Sequence, residues 1–138
     1  MSWKEKIQEW GPASLLFLST DGSSTNFIVV ADPVLLDSKF RNKVQQRIGC
    51  PVVTQEGFML FVVGKRLARK LASLEDKFRD HVINVTRHGA EGDTDTTYEV
   101  AAIQDAKLYK ELQKVKAATY NDESLQEAIA EAKDVLSR

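Results

Sequence analysis

Lys39, Arg41, Lys43 and Arg47 fall at odd positions with Gln45 between them. On an extended strand these residues would project from one face. A row of cations at that spacing suits a phosphodiester backbone, since Lys and Arg contacts to phosphate supply most non-specific nucleic-acid affinity. Phe27 and Phe58 are the aromatics that could stack on bases, and both equally suit a hydrophobic core. Arg87 ends an apolar stretch beside the polar loop His88 to Asp95, where it could reach phosphate or pair with Asp93 or Asp95. The run Lys65, Arg66, Arg69 and Lys70 reads as the solvated face of a helix.

Catalytic chemistry finds little to work with. Gly-x-x-x-x-Gly-Lys-Ser/Thr and Gly-x-Gly-x-x-Gly are both absent, and Gly89-Ala90-Glu91-Gly92 opens no helix. Cys50 with His81 or His88 imitates a nucleophile–base pair, but Cys50 precedes Pro51 in an apolar stretch and reads as a buried thiol. Glu91, Asp93 and Asp95 supply too few ligands for an EF-hand, and one cysteine with two histidines cannot build a structural zinc site. The expectation is a protein that is not an enzyme and needs no cofactor or metal.

With 138 residues, 43% hydrophobic and 28% charged, the chain suits one domain, residues 1–138, that folds without disulfides. The longest apolar run, Phe58 to Val63, is far too short for a membrane span, and the start is polar; a cytoplasmic protein is expected. The net charge of −1 hides an asymmetry. Residues 1–38 carry 2 basic and 5 acidic side chains, residues 39–88 carry 11 and 4, and residues 89–138 carry 6 and 11. A basic middle marks either a polyanion-binding surface or solvated charge on amphipathic elements.

The elements that must position these groups follow from periodicity. Trp3, Ile7 and Trp10 suggest a short helix stopped by Gly11-Pro12. Ala13 to Thr20 and Asn26 to Ala31, separated by Asp21-Gly22-Ser23-Ser24, read as a hairpin. Residues 33–48 admit two readings. As a helix, Asp32 caps, Pro33 is the first residue, Leu36, Phe40, Val44 and Ile48 recur every fourth position, and Gly49 ends it. As a strand, 41–54 presents the cationic row. Local signals favour the helix. Further on, Phe58 to Val63 reads as a buried strand, 65–78 as a helix with Leu67, Leu71, Leu74 and Phe78 inward, and His81 to Arg87 and Thr96 to Ile103 as strands. From Gln104 the chain reads as a helical pair broken at Asn121-Asp122.

With 41–54 as a strand, the order becomes three strand regions, a helix and two strands, which is the element order of an OB-fold. The segment from Ile83 to Val100 (Ile-Asn-Val-Thr-Arg-His-Gly, a Gly-rich loop, then Asp95-Thr96-Thr97-Tyr98-Glu99-Val100) resembles a recurring pattern in phage-type OB-fold single-stranded DNA-binding proteins. Phe58 to Leu74 is similar to the strand and helix upstream in the same proteins. The resemblance covers residues 58–103, and 13–54 only by order of elements. It implies a mainly β protein with helices, an OB-fold-like Greek-key barrel (1–103, with an N-terminal helix) followed by a C-terminal helical pair (104–138). It also implies largely sequence-independent binding of single-stranded DNA in viral or cellular replication or recombination. Lys39, Arg41, Lys43, Arg47, Arg87, Phe27 and Phe58 would form the nucleic-acid site. The chain departs from the family where its helical pair replaces an acidic tail. A helix at 33–48 would instead give an α+β sandwich, a protein–protein interaction module with a basic docking surface. The C-terminal helices could also serve a partner or a homodimer.

Overall fold

The computed structural model describes residues 15–18, 20–40, 43–90 and 96–136, with 38–40 and 43–45 described by their backbone alone. The helix expected at 3–10 lies outside them, as do Arg41, Asp93 and Asp95. The described chain is mixed α/β. Its strands are β1 (Leu15–Leu16), β2 (Ser24–Val29), β3 (Val34–Phe40), β4 (Lys43–Thr54), β5 (Gly57–Val63), β6 (Val82–His88) and β7 (Thr97–Ile103). Helices α1 (Lys65–Ala72), α2 (Ala106–Thr119) and α3 (Asp122–Leu136) complete it, with a 3-10 turn at Glu75–Lys77. The sheet runs β1-β5-β4-β2-β6-β7, and β3 also pairs with β4.

Val34–Phe40 and Lys43–Thr54 are strands, so the helix at 33–48 on which the α+β sandwich rested is not formed by the described residues. Seven consecutive antiparallel pairs join β3 to β4, from Val34 opposite Gly49 to Phe40 opposite Lys43. A spacing of four residues is a multiple of both periods, so Leu36, Phe40, Val44 and Ile48 satisfy a strand as well as a helix. Phe40 pairs with Lys43, so β3 and β4 run in opposite directions. Leu36 pairs with Arg47 and Leu35 with Ile48, so Leu36 and Ile48 join different cores. Among the described residues the expected cationic row is split between two paired strands, Lys39 on β3 and Lys43 and Arg47 on β4. Pro51, which has no N–H to donate, falls where the sheet tolerates it. Val29 pairs with Val52 and Val34 with Gly49, so Cys50 and Pro51 stand opposite the interruption at 30–33.

The expected 13–31 hairpin is also corrected. The turn itself forms, with Gly22 at φ 79° and the Ser23 N–H donating to Thr20 O. Its two arms part company, however. β1 runs parallel to β5, while β2 pairs with β6 and β4. β2 has better partners far along the chain: the Gly22 N–H donates to Arg87 O and the Arg87 N–H to Ser23 O.

Two cores lie on the two faces of this sheet. Leu36, Val53, Phe58, Leu60 and Val62 are buried with Leu112, Ala128 and Ala132 of α2 and α3. Cys50, Val52, Phe61, Val63, Ile83 and Val85 are buried with Leu67 and Leu71 of α1. Alternation along β5 thus delivers apolar side chains to both faces, which is why Phe58 to Val63 is apolar throughout. The stripes of the helical pair are used within the chain. Phe58 packs on Tyr120 at 5.0 Å between ring centroids, and the Phe58 N–H donates to Thr119 Oγ1 at 3.0 Å. Asp105 caps α2 through the Leu108 N–H, and Asn121 Oδ1 accepts from the Ser124 N–H as α3 begins. Among the described residues, no helix is long and apolar enough to cross a membrane.

Candidate nucleic-acid interface

A cleft of about 650 Å³ opens where β1, the ends of β6 and β7, and helix α1 meet. Phe17, Arg47, Arg66, Lys70, Arg87 and Tyr98 contribute to its walls. Gly64 is the single residue between β5 and α1, and the helix then places residues 66 and 70 one turn apart on one side. Arg66 and Lys70 are exposed, as is Arg47. Lys70 Nζ donates to Tyr98 O at 2.8 Å, which fastens the helix to strand β7. The ion pairs among the described residues are His81–Asp80 and His88–Glu99, so these three cations have no carboxylate partner there. Phe17 is 44% exposed, an aromatic ring open to solvent beside them.

The expected site residues are distributed differently. Phe27 is completely buried, edge-on to Phe61 with ring centroids 5.5 Å apart. Phe58 is 8% exposed beneath the C-terminal helices. Neither can present a face to a base, because hydrophobic burial places both rings in the cores. Lys39 and Lys43 are placed by backbone only, at register positions opposite Val44 and Phe40. Of the expected cationic row, Arg47 alone is described as reaching the cleft.

Arg87 is corrected as well: it is 9% exposed, and its guanidinium is engaged within the protein. Nε donates to Gly89 O (2.8 Å), Nη1 to Leu18 O (3.0 Å) and Tyr98 Oη (2.9 Å), and Nη2 to Ala90 O (3.0 Å) and Thr96 Oγ1 (3.3 Å). Arg carries five N–H donors, and all five are used. Gly89 completes the arrangement. It has φ 132°, and a Cβ there would lie 2.9 Å from Thr96 Cα. The Arg-x-Gly and Thr-x-Tyr elements of the sequence pattern therefore form one clasp, which ties the β6–β7 connection to the segment after β1. Gly89→Ala combines a left-handed backbone with a backbone clash and should cost about 2 kcal/mol or more in chemical denaturation.

Phe17, Arg66 and Lys70 were not in the expected set. Phe17 was concealed inside the apolar run Leu15 to Leu18, and the helix cations looked like solvated surface. Their alternation with Leu67 and Leu71 was the available signal, since it fixes which side of α1 stays outside.

Cys50 is buried, and burial pushes its thiol up from 9.0 to about 11. The folded state thus favours the protonated thiol. Its stabilising effect is complete below pH 9 and is lost as pH rises toward 11, where the unfolded chain has already ionised. Denaturation at pH 8 to 11 should show wild type losing up to about 2 kcal/mol more than Cys50→Ser. A thiol this protonated at neutral pH is a poor nucleophile. Among the described residues, no group of His, Cys, Asp and Glu could hold a metal ion.

Comparison with protein-family models, with curated proteins and with solved structures found no match.

Proposed function

We propose that this chain is a single-stranded DNA-binding protein of OB-fold type, acting with little sequence preference in replication or recombination. The observation that carries the reading is the convergence of Arg47, Arg66 and Lys70 with the exposed ring of Phe17 and the half-buried ring of Tyr98 in one cleft. Cations follow a phosphate backbone, and open aromatic faces stack on bases. Setting aside the two-residue β1 and counting β2 and β3 as one interrupted strand gives three strands, helix α1 and two strands, the OB order. A Greek-key barrel left open between β1 and β7 accommodates this order, with Lys70 joining helix α1 to β7 and Arg87 joining the end of β6 to the segment after β1.

OB-folds usually hold oligonucleotides on the face of the second and third strands and on two loops. Here helices α2 and α3 cover that face of β4 and β5. The ligand is accordingly displaced to the rim, beside Arg87 and Thr96 where β6 ends and β7 begins.

Fluorescence anisotropy with labelled oligo-dT and a matching duplex tests the reading. The expected result is micromolar or tighter binding to the single strand, weaker on duplex and falling with salt. Arg66→Ala/Lys70→Ala should flatten the salt dependence by about 1.4 in log–log slope. Phe17→Ala should weaken binding by about tenfold, the value of one base stack. No binding at low salt would overturn the proposal.

A further inference from the structure

On the other flank of α1 lies a second hollow of about 520 Å³, between the helix and the β3–β4 hairpin. Its walls include Val29, Pro33, Ile48, Cys50, Leu71 and Phe78. Lys65 and Arg69 also line it, one turn apart, as Arg66 and Lys70 line the first cleft. The four cations therefore form a ridge with a hollow on each side. Lys65 Nζ donates to Gln46 Oε1 at 2.6 Å, and Gln46 Nε2 to Asp37 Oδ1 at 3.0 Å. A neutral amide thus holds the ammonium at the lip of the hollow. Arg69 is exposed, with no carboxylate partner among the described residues.

We propose that a bound single strand crosses helix α1, with its phosphates on the four-cation ridge and a base in the second hollow; this rests on the single-strand-binding reading above. Asp32 and Glu75 lie in the lining of that hollow. They repel a phosphate but not a neutral base, whose flat apolar faces suit the Ile48, Leu71 and Phe78 walls. The volume falls within the range of small-ligand pockets, about 300–1,000 Å³. The ligand chemistry is therefore divided, anionic on the helix and uncharged aromatic beside it.

Anisotropy with oligo-dT of graded length, from about 4 to about 16 nucleotides, tests the crossing. Lys65→Ala/Arg69→Ala should bind the shortest oligomers as wild type does. On the longest it should lose about 1.4 from the log–log salt slope, two phosphate contacts on a single strand. Ala72→Glu, at an exposed position lining the second hollow, should weaken only long oligomers, by several-fold. If both variants bind long oligomers with wild-type affinity and slope while Arg66→Ala/Lys70→Ala binds weakly, the strand stays in the first cleft and the crossing is wrong. If Arg66→Ala/Lys70→Ala also binds every length as wild type does, the single-strand reading itself falls.

Discussion

Arg87→Ala should lower stability by about 3 kcal/mol and the melting temperature by roughly 10 °C. Truncation strips hydrogen bonds from Leu18 O, Gly89 O, Ala90 O, Tyr98 Oη and Thr96 Oγ1 together. Bonds to a charged group contribute about 1.5–3 kcal/mol each, but loss of several within one clasp is not additive, and some acceptors regain water. Arg87→Lys should recover little, because a single ammonium cannot reach acceptors spread around a planar fork. Thermal melts followed by circular dichroism measure both. An Arg87→Ala protein that melts like wild type but no longer binds oligo-dT would show that the guanidinium serves the ligand instead.

Ending the chain after Ile103 should yield no folded protein. The helical pair covers Leu36, Val53, Phe58, Leu60 and Val62, and it contributes the fully buried Leu112, Ala128 and Ala132. Exposing five large apolar side chains at about 1.5–3 kcal/mol each exceeds the whole stability of an ordinary domain at its lower end. Size-exclusion chromatography and circular dichroism should report aggregation or an unfolded chain. A monomeric, cooperatively melting 1–103 fragment would mean that the helices are an accessory layer.

What the sequence disclosed depended on whether one period or two could explain a segment. Strands β5 and β6 were legible because Ile83 and Val85 alternate with Asn84 and Thr86 and because turn residues bound the apolar run 58–63. The helical pair was legible from its stripes and the Asn121 break. Residues 33–48 were ambiguous because their apolar spacing satisfies both geometries, and only pairing with distant strands decides. The site was harder still. Phe27 and Phe58 are chemically fit to stack, yet burial depends on which strands cover them. Phe17 is exposed because the two-residue strand β1 releases the chain just before it.

β2 changes partners midway: Phe27 pairs with Ile83 of β6, and the next residue, Ile28, with Val53 of β4. Those neighbours also enter opposite cores, Phe27 beside Phe61 and Ile28 with the set beneath α2 and α3. Disordering either core therefore withdraws the strand on which the other is built. The two are expected to melt in one cooperative transition, the same by every probe. The pairing that joins them brings Ser24 to Thr86 across a long stretch of chain, whereas β3–β4, β4–β5 and β6–β7 close locally. Loop-closure entropy makes that distant contact costly to form early, so folding awaits the arrival of β2 on β6.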